Sequence, residues 1–175
     1  MLNIGIIIGS TREGRVSPQV AEWVLAEGKD SGLNLEIVDL KDYDLPLLGT
    51  GPADKLDTFK QTIDRLDGFI FITSEYNHSI PASLKNAIDY LRDEWANKVA
   101  GIVSYGSLGG ARATEHLRGI LAEIQIADVR SHTALSLFTD FEDGSKFKPA
   151  NLHRTNLVAM FEQVSLWGKA LKSIR

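Results

Sequence analysis

The sequence predicts an α/β fold: a five-stranded parallel sheet in the order 2-1-3-4-5, with helices on both faces. Short apolar runs alternate with stretches whose apolar residues recur at helical spacing, and there are five such runs. The first, third and fourth runs are apolar almost throughout, as strands covered on both faces must be. A strict β-α alternation with right-handed crossovers leaves two common strand orders, and five strands select the shorter one.

The first run, Ile4-Gly5-Ile6-Ile7-Ile8, ends at Gly9-Ser10. Pro18 then stands where the first turn of a helix needs no N–H, placing a helix near 18–30. Leu35-Glu36-Ile37-Val38 is the second strand, followed by a helix near 54–65. Phe69-Ile70-Phe71-Ile72 is the third. Pro81 opens the next helix, near 81–92, where Leu84, Ala87, Ile88 and Leu91 form one stripe. Val99-Ala100-Gly101-Ile102-Val103 is the fourth strand; Leu117, Ile120, Leu121 and Ile124 mark a helix near 110–125. The fifth strand, around Ala127 to Leu137, is more polar, as an edge strand would be. Asp140 to Pro149 reads as a polar loop. Leu157, Val158, Phe161 and Val164 mark the last helix, near 151–172. The pattern is a single flavodoxin-like domain over 1–175. Trp23 and Trp167 fall on helix stripes and read as core, whereas Trp95 is open between a subunit interface and a site wall lent by a partner chain.

Composition removes several classes of function. The chain is 43% hydrophobic and 24% charged, ordinary for a globular protein. Nineteen Lys plus Arg against twenty-three Asp plus Glu leave a charge of −4, without the basic footprint of non-specific nucleic-acid binding. The absence of cysteine excludes disulfides, thiolate zinc sites, iron–sulfur clusters and cysteine nucleophiles. The apolar start breaks too early for a signal peptide, and no run approaches a membrane span. A cytoplasmic protein that binds neither membrane nor nucleic acid is expected.

In such a sheet a ligand sits beyond the carboxyl ends of the strands, where the strand order reverses. Three loops converge there: Gly9 to Ser17, Ser74 to Ile80, and Ser104 to Gly110. The first has the G-x-x-x-x-G spacing of a nucleotide P-loop, but Arg15 and Val16 follow where Lys and Ser/Thr belong. Valine holds no magnesium, so metal-dependent nucleotide hydrolysis is excluded, and the glycines do not fit a dinucleotide fingerprint. What remains is a hydroxyl-rich turn feeding a helix N-terminus. Ser10, Thr11 and Ser17 offer hydroxyls, Val16 lies at the helix entry, and Arg12 and Arg15 could neutralise a monophosphate without metal. The plainer alternative is a strand-to-helix turn with Ser17 as N-cap and two solvated arginines.

The second loop carries the longest motif, Ser74-Glu75-Tyr76-Asn77-His78-Ser79-Ile80-Pro81-Ala82-Ser83-Leu84-Lys85-Asn86-Ala87-Ile88-Asp89. It resembles the NADPH-dependent FMN reductase family, whose members include quinone, azo-dye and chromate reductases. That family reads Pro-Glu-Tyr-Asn, a short link, Pro, then Leu-Lys-Asn-Ala-Ile-Asp. The likeness extends to the Gly-Ser-x-Arg start of the first loop and to the glycine-rich third loop. Ser74 departs from the pattern where the family commonly has proline, freeing the backbone and adding a hydroxyl.

The resemblance implies that Glu75, Tyr76, Asn77 and His78 neighbour a flavin ring. From the residues alone, an uncovered backbone suits amide contacts to ring nitrogens and carbonyls, and Tyr76 and His78 offer planar surfaces. Glu75 also reads as a loop brace, His78 as a loop or interface histidine, and Lys85, Asn86 and Asp89 as helix-packing or subunit contacts. In the third loop, the resemblance implies that Ser104, Tyr105, Gly106, Ser107, Gly109 and Gly110 line the pyrimidine side of the flavin. A tight turn needing positive φ is the alternative. Ser107 lacks the preceding glycine of a hydrolase elbow. His116, His132 and His153 show no zinc spacing, and Arg118 reads as a solvated helix charge.

The resemblance further implies FMN held without a covalent bond and NADPH or NADH as co-substrate. Hydride would pass to the flavin and on to a small-molecule acceptor in ping-pong fashion, with no catalytic protein residue and no metal required. It implies a homodimer or homotetramer. A flavodoxin-type electron carrier and a flavin-binding sensor without turnover are the alternatives. Two loop arginines and a modest net charge speak against the carrier.

Overall fold

A computed structural model describes residues 1–175. Five strands, β1 (Leu2–Ile8), β2 (Leu33–Asp39), β3 (Gly68–Ser74), β4 (Lys98–Gly106) and β5 (Ile126–Ser136), form the main sheet. Every pairing is parallel, and the order is β2-β1-β3-β4-β5. The connecting helices are α1 (Ser17–Glu27), α2 (Leu56–Asp64), α3 (Ala82–Asp89), α4 (Ala111–Glu123) and α5 (Leu152–Lys172). A 3-10 turn at Leu40–Tyr43, which no periodicity announces, follows β2.

Side chains of successive strand residues point to opposite faces, so each inner strand feeds two cores. Ile4, Ile6 and Ile8 pack with Val20, Ala21 and Val24 of α1 and with Leu157, Met160, Phe161 and Val164 of α5. Ile7, Phe69, Phe71 and Ile102 pack on the other face with Phe59, Leu84, Ile88, Ala113, Leu117 and Leu121. All seven residues of β3 and all nine of β4 are buried. β5 mixes buried with part-exposed positions, as its edge position allows.

Several expectations need correction. Residues 140–149 are more than a loop: Phe141–Glu142 (β6) and Lys146–Phe147 (β7) pair as an antiparallel hairpin with Phe141 buried in the α1/α5 core. Gln19 of α1 holds it by donating to the Ser145 carbonyl at 2.9 Å and accepting from the Phe147 amide at 3.0 Å. Trp95 is neither interface nor site wall: it is 1% exposed, 4.9 Å between ring centroids from Phe69, and its indole N–H donates to the Ile88 carbonyl. Trp167 is 46% exposed rather than core. Arg118 is not solvated, because it pairs with Asp128 and donates to the Val129 carbonyl on β5.

Candidate cofactor site

The three loops meet because their parent strands end in register. Ile8 lies opposite Ile72, Ser74 opposite Tyr105, and Gly106 opposite Ser136. Backbone bonds tie the loop roots: the Gly9 amide donates to the Ile72 carbonyl at 3.0 Å, and the Glu75 amide to the Tyr105 carbonyl at 2.9 Å. Ser83 Oγ, on α3, donates to the Gly9 carbonyl at 2.7 Å.

In the first loop the two arginines part company. Arg15 is locked: its guanidinium grips both oxygens of Asp39, at 2.7 and 2.5 Å, and donates to the Ser10 carbonyl. Its charge is spent on Asp39 and on shaping the turn, so Arg15 is not the free phosphate ligand the sequence suggested. Arg12 is exposed and unpaired. Thr11 is half-buried beside it, and Ser10, 1% exposed, lies 3.3 Å from the Tyr76 phenol oxygen.

The start of α1 differs from the N-cap reading. Val16, not Ser17, occupies the cap position, no side chain caps the helix, and its first turn carries no acid. Val16 itself is buried in the core. Ser17 is the first helical residue, and its hydroxyl is buried without a hydrogen-bond partner, as is that of Ser74. An open helix N-terminus, an unpaired guanidinium and orphaned hydroxyls are the donor set a phosphate monoester requires. The residues present therefore fit the phosphate end of FMN.

The second loop is a two-residue reversal. Tyr76 and Ser79 exchange backbone bonds at 2.9 and 3.0 Å across Asn77 and His78, whose φ values are 47° and 72°. Positive φ at both central positions is the signature of a type I′ turn, and a histidine there is held against its own preference. Tyr76, Asn77 and His78 are exposed. Glu75 is not: one carboxylate oxygen accepts from the Arg112 and Ala113 amides at 3.1 and 3.3 Å, capping α4, while the other pairs with the Arg112 side chain. Burial pushes the Glu75 carboxyl up, but the Arg112 guanidinium and these amides outweigh it and hold it below its ordinary value. The remaining Arg112 nitrogen lies 2.9 Å from His78 Nε2. Glu75 is thus a brace, and its arginine partner was not legible from the motif. Burial raises the Tyr76 phenol, but the Ser10 hydroxyl and the Arg12 charge bring it below its usual value.

In the third loop Gly109 and Gly110 both take left-handed φ, 69° and 74°. A Cβ on Gly110 would meet Ser104 Cβ at 2.7 Å, so backbone alone can pass there. Gly106 packs its Cα side against Glu75, and Ser107 is exposed. Ser104 and Tyr105 are buried: Ser104 bonds inward to the Gly109 carbonyl, and Tyr105 packs on Phe141. Neither side chain is exposed, so a contact from either residue to a ligand would come from its backbone. Burial keeps the Tyr105 phenol above its ordinary value. Among the other residues weighed, Lys85 and Asp89 pair with each other, and Asn86 fastens the 45–48 segment through the Pro46 carbonyl and the Leu48 amide.

The family model for NADPH-dependent FMN reductases matches residues 2–140. The chain belongs to the NADPH-dependent FMN reductase family. An NAD(P)H-dependent FMN reductase of Saccharomyces cerevisiae is 36% identical over 140 residues, covering 69% of this chain and 73% of that protein. A quinone reductase of Pseudomonas putida is 30% identical, covering 98% and 97% of the two chains. Among solved structures, a flavoenzyme NAD(P)H:(acceptor) oxidoreductase of Paracoccus denitrificans superposes with a TM-score of 0.77 over 95% of this chain and 98% of that one. At 20% identity that likeness speaks for the fold, the flavodoxin-like sheet described above. As an FMN reductase family member the chain is an oxidoreductase, with FMN as its cofactor and a reduced nicotinamide as its co-substrate. No helix is long and apolar enough to cross a membrane.

Proposed function

We propose that this single flavodoxin-like domain is a cytoplasmic NAD(P)H-dependent FMN oxidoreductase. Quinones are its acceptor class, azo compounds and chromate further acceptors, and donor and acceptor take turns on one exposed face in a ping-pong cycle. The observation that carries the reading is the uncapped start of α1 with Arg12 exposed and in no ion pair beside it, adjoining the exposed Tyr76-Asn77-His78 turn. Relatives named quinone reductase support the acceptor class.

Ser10, Thr11, Arg12 and Ser17 would hold the phosphate, with the Val16 backbone at the helix entry and Arg15 shaping the turn. The backbone of Glu75, Tyr76, Asn77 and His78 would edge the ring on one side, and that of Gly106 to Gly110 on the other, with Ser104 and Tyr105 supporting from beneath. FMN, when bound, supplies two-electron chemistry with the nicotinamide and the acceptor. The chain's own contribution is to bind and orient, so no side chain need be an obligatory acid or base. The Glu75–Arg112 pair keeps the second loop against α4, and the I′ turn keeps Asn77 and His78 projecting. A homodimer or homotetramer completes the proposal.

The test is the visible spectrum of the protein supplied with FMN, followed by anaerobic NADPH. Retained flavin that bleaches, then reoxidises with stoichiometric benzoquinone, is the expected result. Flavin that binds but stays oxidised would point to an electron carrier or sensor, and flavin that is never retained would overturn the reading.

A further inference from the structure

Beneath the third loop, Ser104 belongs to a side-chain network whose other members, His132 and Thr114, have no part in the site as described so far. His132 of β5, Ser104 of β4 and Thr114 of α4 meet between sheet and helix. His132 Nε2 is 2.7 Å from Ser104 Oγ and 3.0 Å from Thr114 Oγ1. Each hydroxyl is also bonded onward: Ser104 Oγ donates to the Gly109 carbonyl at 2.5 Å, and Thr114 Oγ1 to the Gly110 carbonyl at 3.1 Å.

The shortest contact, Ser104 Oγ to the Gly109 carbonyl, sets the proton inventory. A carbonyl only accepts, and a hydroxyl has one proton to give. When Thr114 likewise gives its proton to the Gly110 carbonyl, which also takes the Thr114 amide, both oxygens turn lone pairs toward the imidazole. In that arrangement Nε2 carries hydrogen and shares it between them. The ring makes no other hydrogen bond to the protein, so only Nε2 connects it to its neighbours.

We propose that His132 is a positioning residue for the third loop. Its Nε2–H fixes the direction in which Ser104 and Thr114 donate, and through them the orientation of the Gly109 and Gly110 peptides. Those peptides need such a clamp. Both residues sit at left-handed φ and have no side chains to anchor them, while Gly110 packs so tightly on Ser104 that the loop and the network move as one. The charged groups facing the ring are Arg118 and Glu115 of α4, and Arg118 is engaged by Asp128. Burial, with Arg118 adding to it, pulls the imidazole down to about 4, which agrees with a neutral ring bearing one N–H. The consequence for cofactor binding rests on the proposed role of this loop at the flavin, whereas the clamp itself does not.

Two measurements on protein without flavin test the clamp. Long-range ¹H–¹⁵N NMR of the wild-type histidines at neutral pH should show His132 as the Nε2–H tautomer; an Nδ1–H tautomer or an imidazolium overturns the proposal. The Gly109 and Gly110 amide resonances should move in His132→Leu and return in His132→Gln, whose amide N–H reaches the same place. Resonances unmoved by His132→Leu also overturn it. A third measurement tests the link to function, by titrating FMN and following its fluorescence. His132→Leu should weaken binding by about tenfold, the loss of one well-placed donor, and His132→Gln should restore it to within about threefold. Equal FMN affinity in wild type and His132→Leu overturns the positioning role. If wild type binds no FMN, the proposed function fails while the NMR result still decides the clamp.

Discussion

Arg12 and Arg15 stand three positions apart in one loop, and from the sequence they are interchangeable cations. Their surroundings separate them. Arg15 is closed in by the bidentate Asp39 pair, and its removal would leave a largely covered carboxylate with only the Lys41 amide as a partner. Arg15→Ala is therefore expected to cost about 1–3 kcal/mol of folding stability, read from urea unfolding. Arg12→Ala should leave the unfolding midpoint nearly unchanged and weaken FMN binding by at least about tenfold, as the loss of a charge-assisted phosphate contact does. The reverse pattern would exchange their assignments. The loop itself was legible because glycine spacing and hydroxyls are local signals. The division of labour was not, because Asp39 lies at the end of a neighbouring strand and nothing in the first loop announces it. The same holds for Glu75, whose partners Arg112 and Ala113 belong to the first turn of α4, 37 and 38 positions further along the chain.

Elements were legible to the degree that their period was regular. The five strands and five helices follow from apolar spacing, since burial on a sheet or beneath a helix imposes that spacing. The β6–β7 hairpin was not, because two-residue strands have no period and this one depends on Gln19 from a distant helix. Helix α4 shows how context overrides residue type. Gly110 and Gly119 are nine positions apart at its start and middle. Gly110 has φ 74° with Ser104 Cβ in the way, whereas Gly119 has open space where a Cβ would go. Gly110→Ala is expected to destabilise by about 2 kcal/mol through strain at left-handed φ and the clash. Gly119→Ala should stabilise by up to about 1 kcal/mol through helix propensity. Thermal unfolding of both variants checks the opposite signs, and two shifts in the same direction would refute the reading.

For the molecule as a whole, the half-buried His132 sets an acid limit. Its folded-state value near 4 lies below the ordinary 6.5, so the unfolded chain takes up the proton first as pH falls. Stability should be level above about 6.5, decline toward 4, and lose on the order of 3 kcal/mol across that window. His132→Gln should remove that share of the slope; urea midpoints between pH 4 and 7 decide it, and parallel slopes in the two proteins would reject the assignment. The complete burial of β3 and β4 has a further consequence. Their amides can meet solvent deuterium only when both helical layers lift away, so they will exchange on the timescale of global unfolding. Two of the three loops spring directly from these strands. With the cofactor site proposed above, bound molecules would enter and leave through loop motions, on the order of microseconds or faster, while the roots stay fixed, and cofactor exchange and chain unfolding would be separate kinetic events.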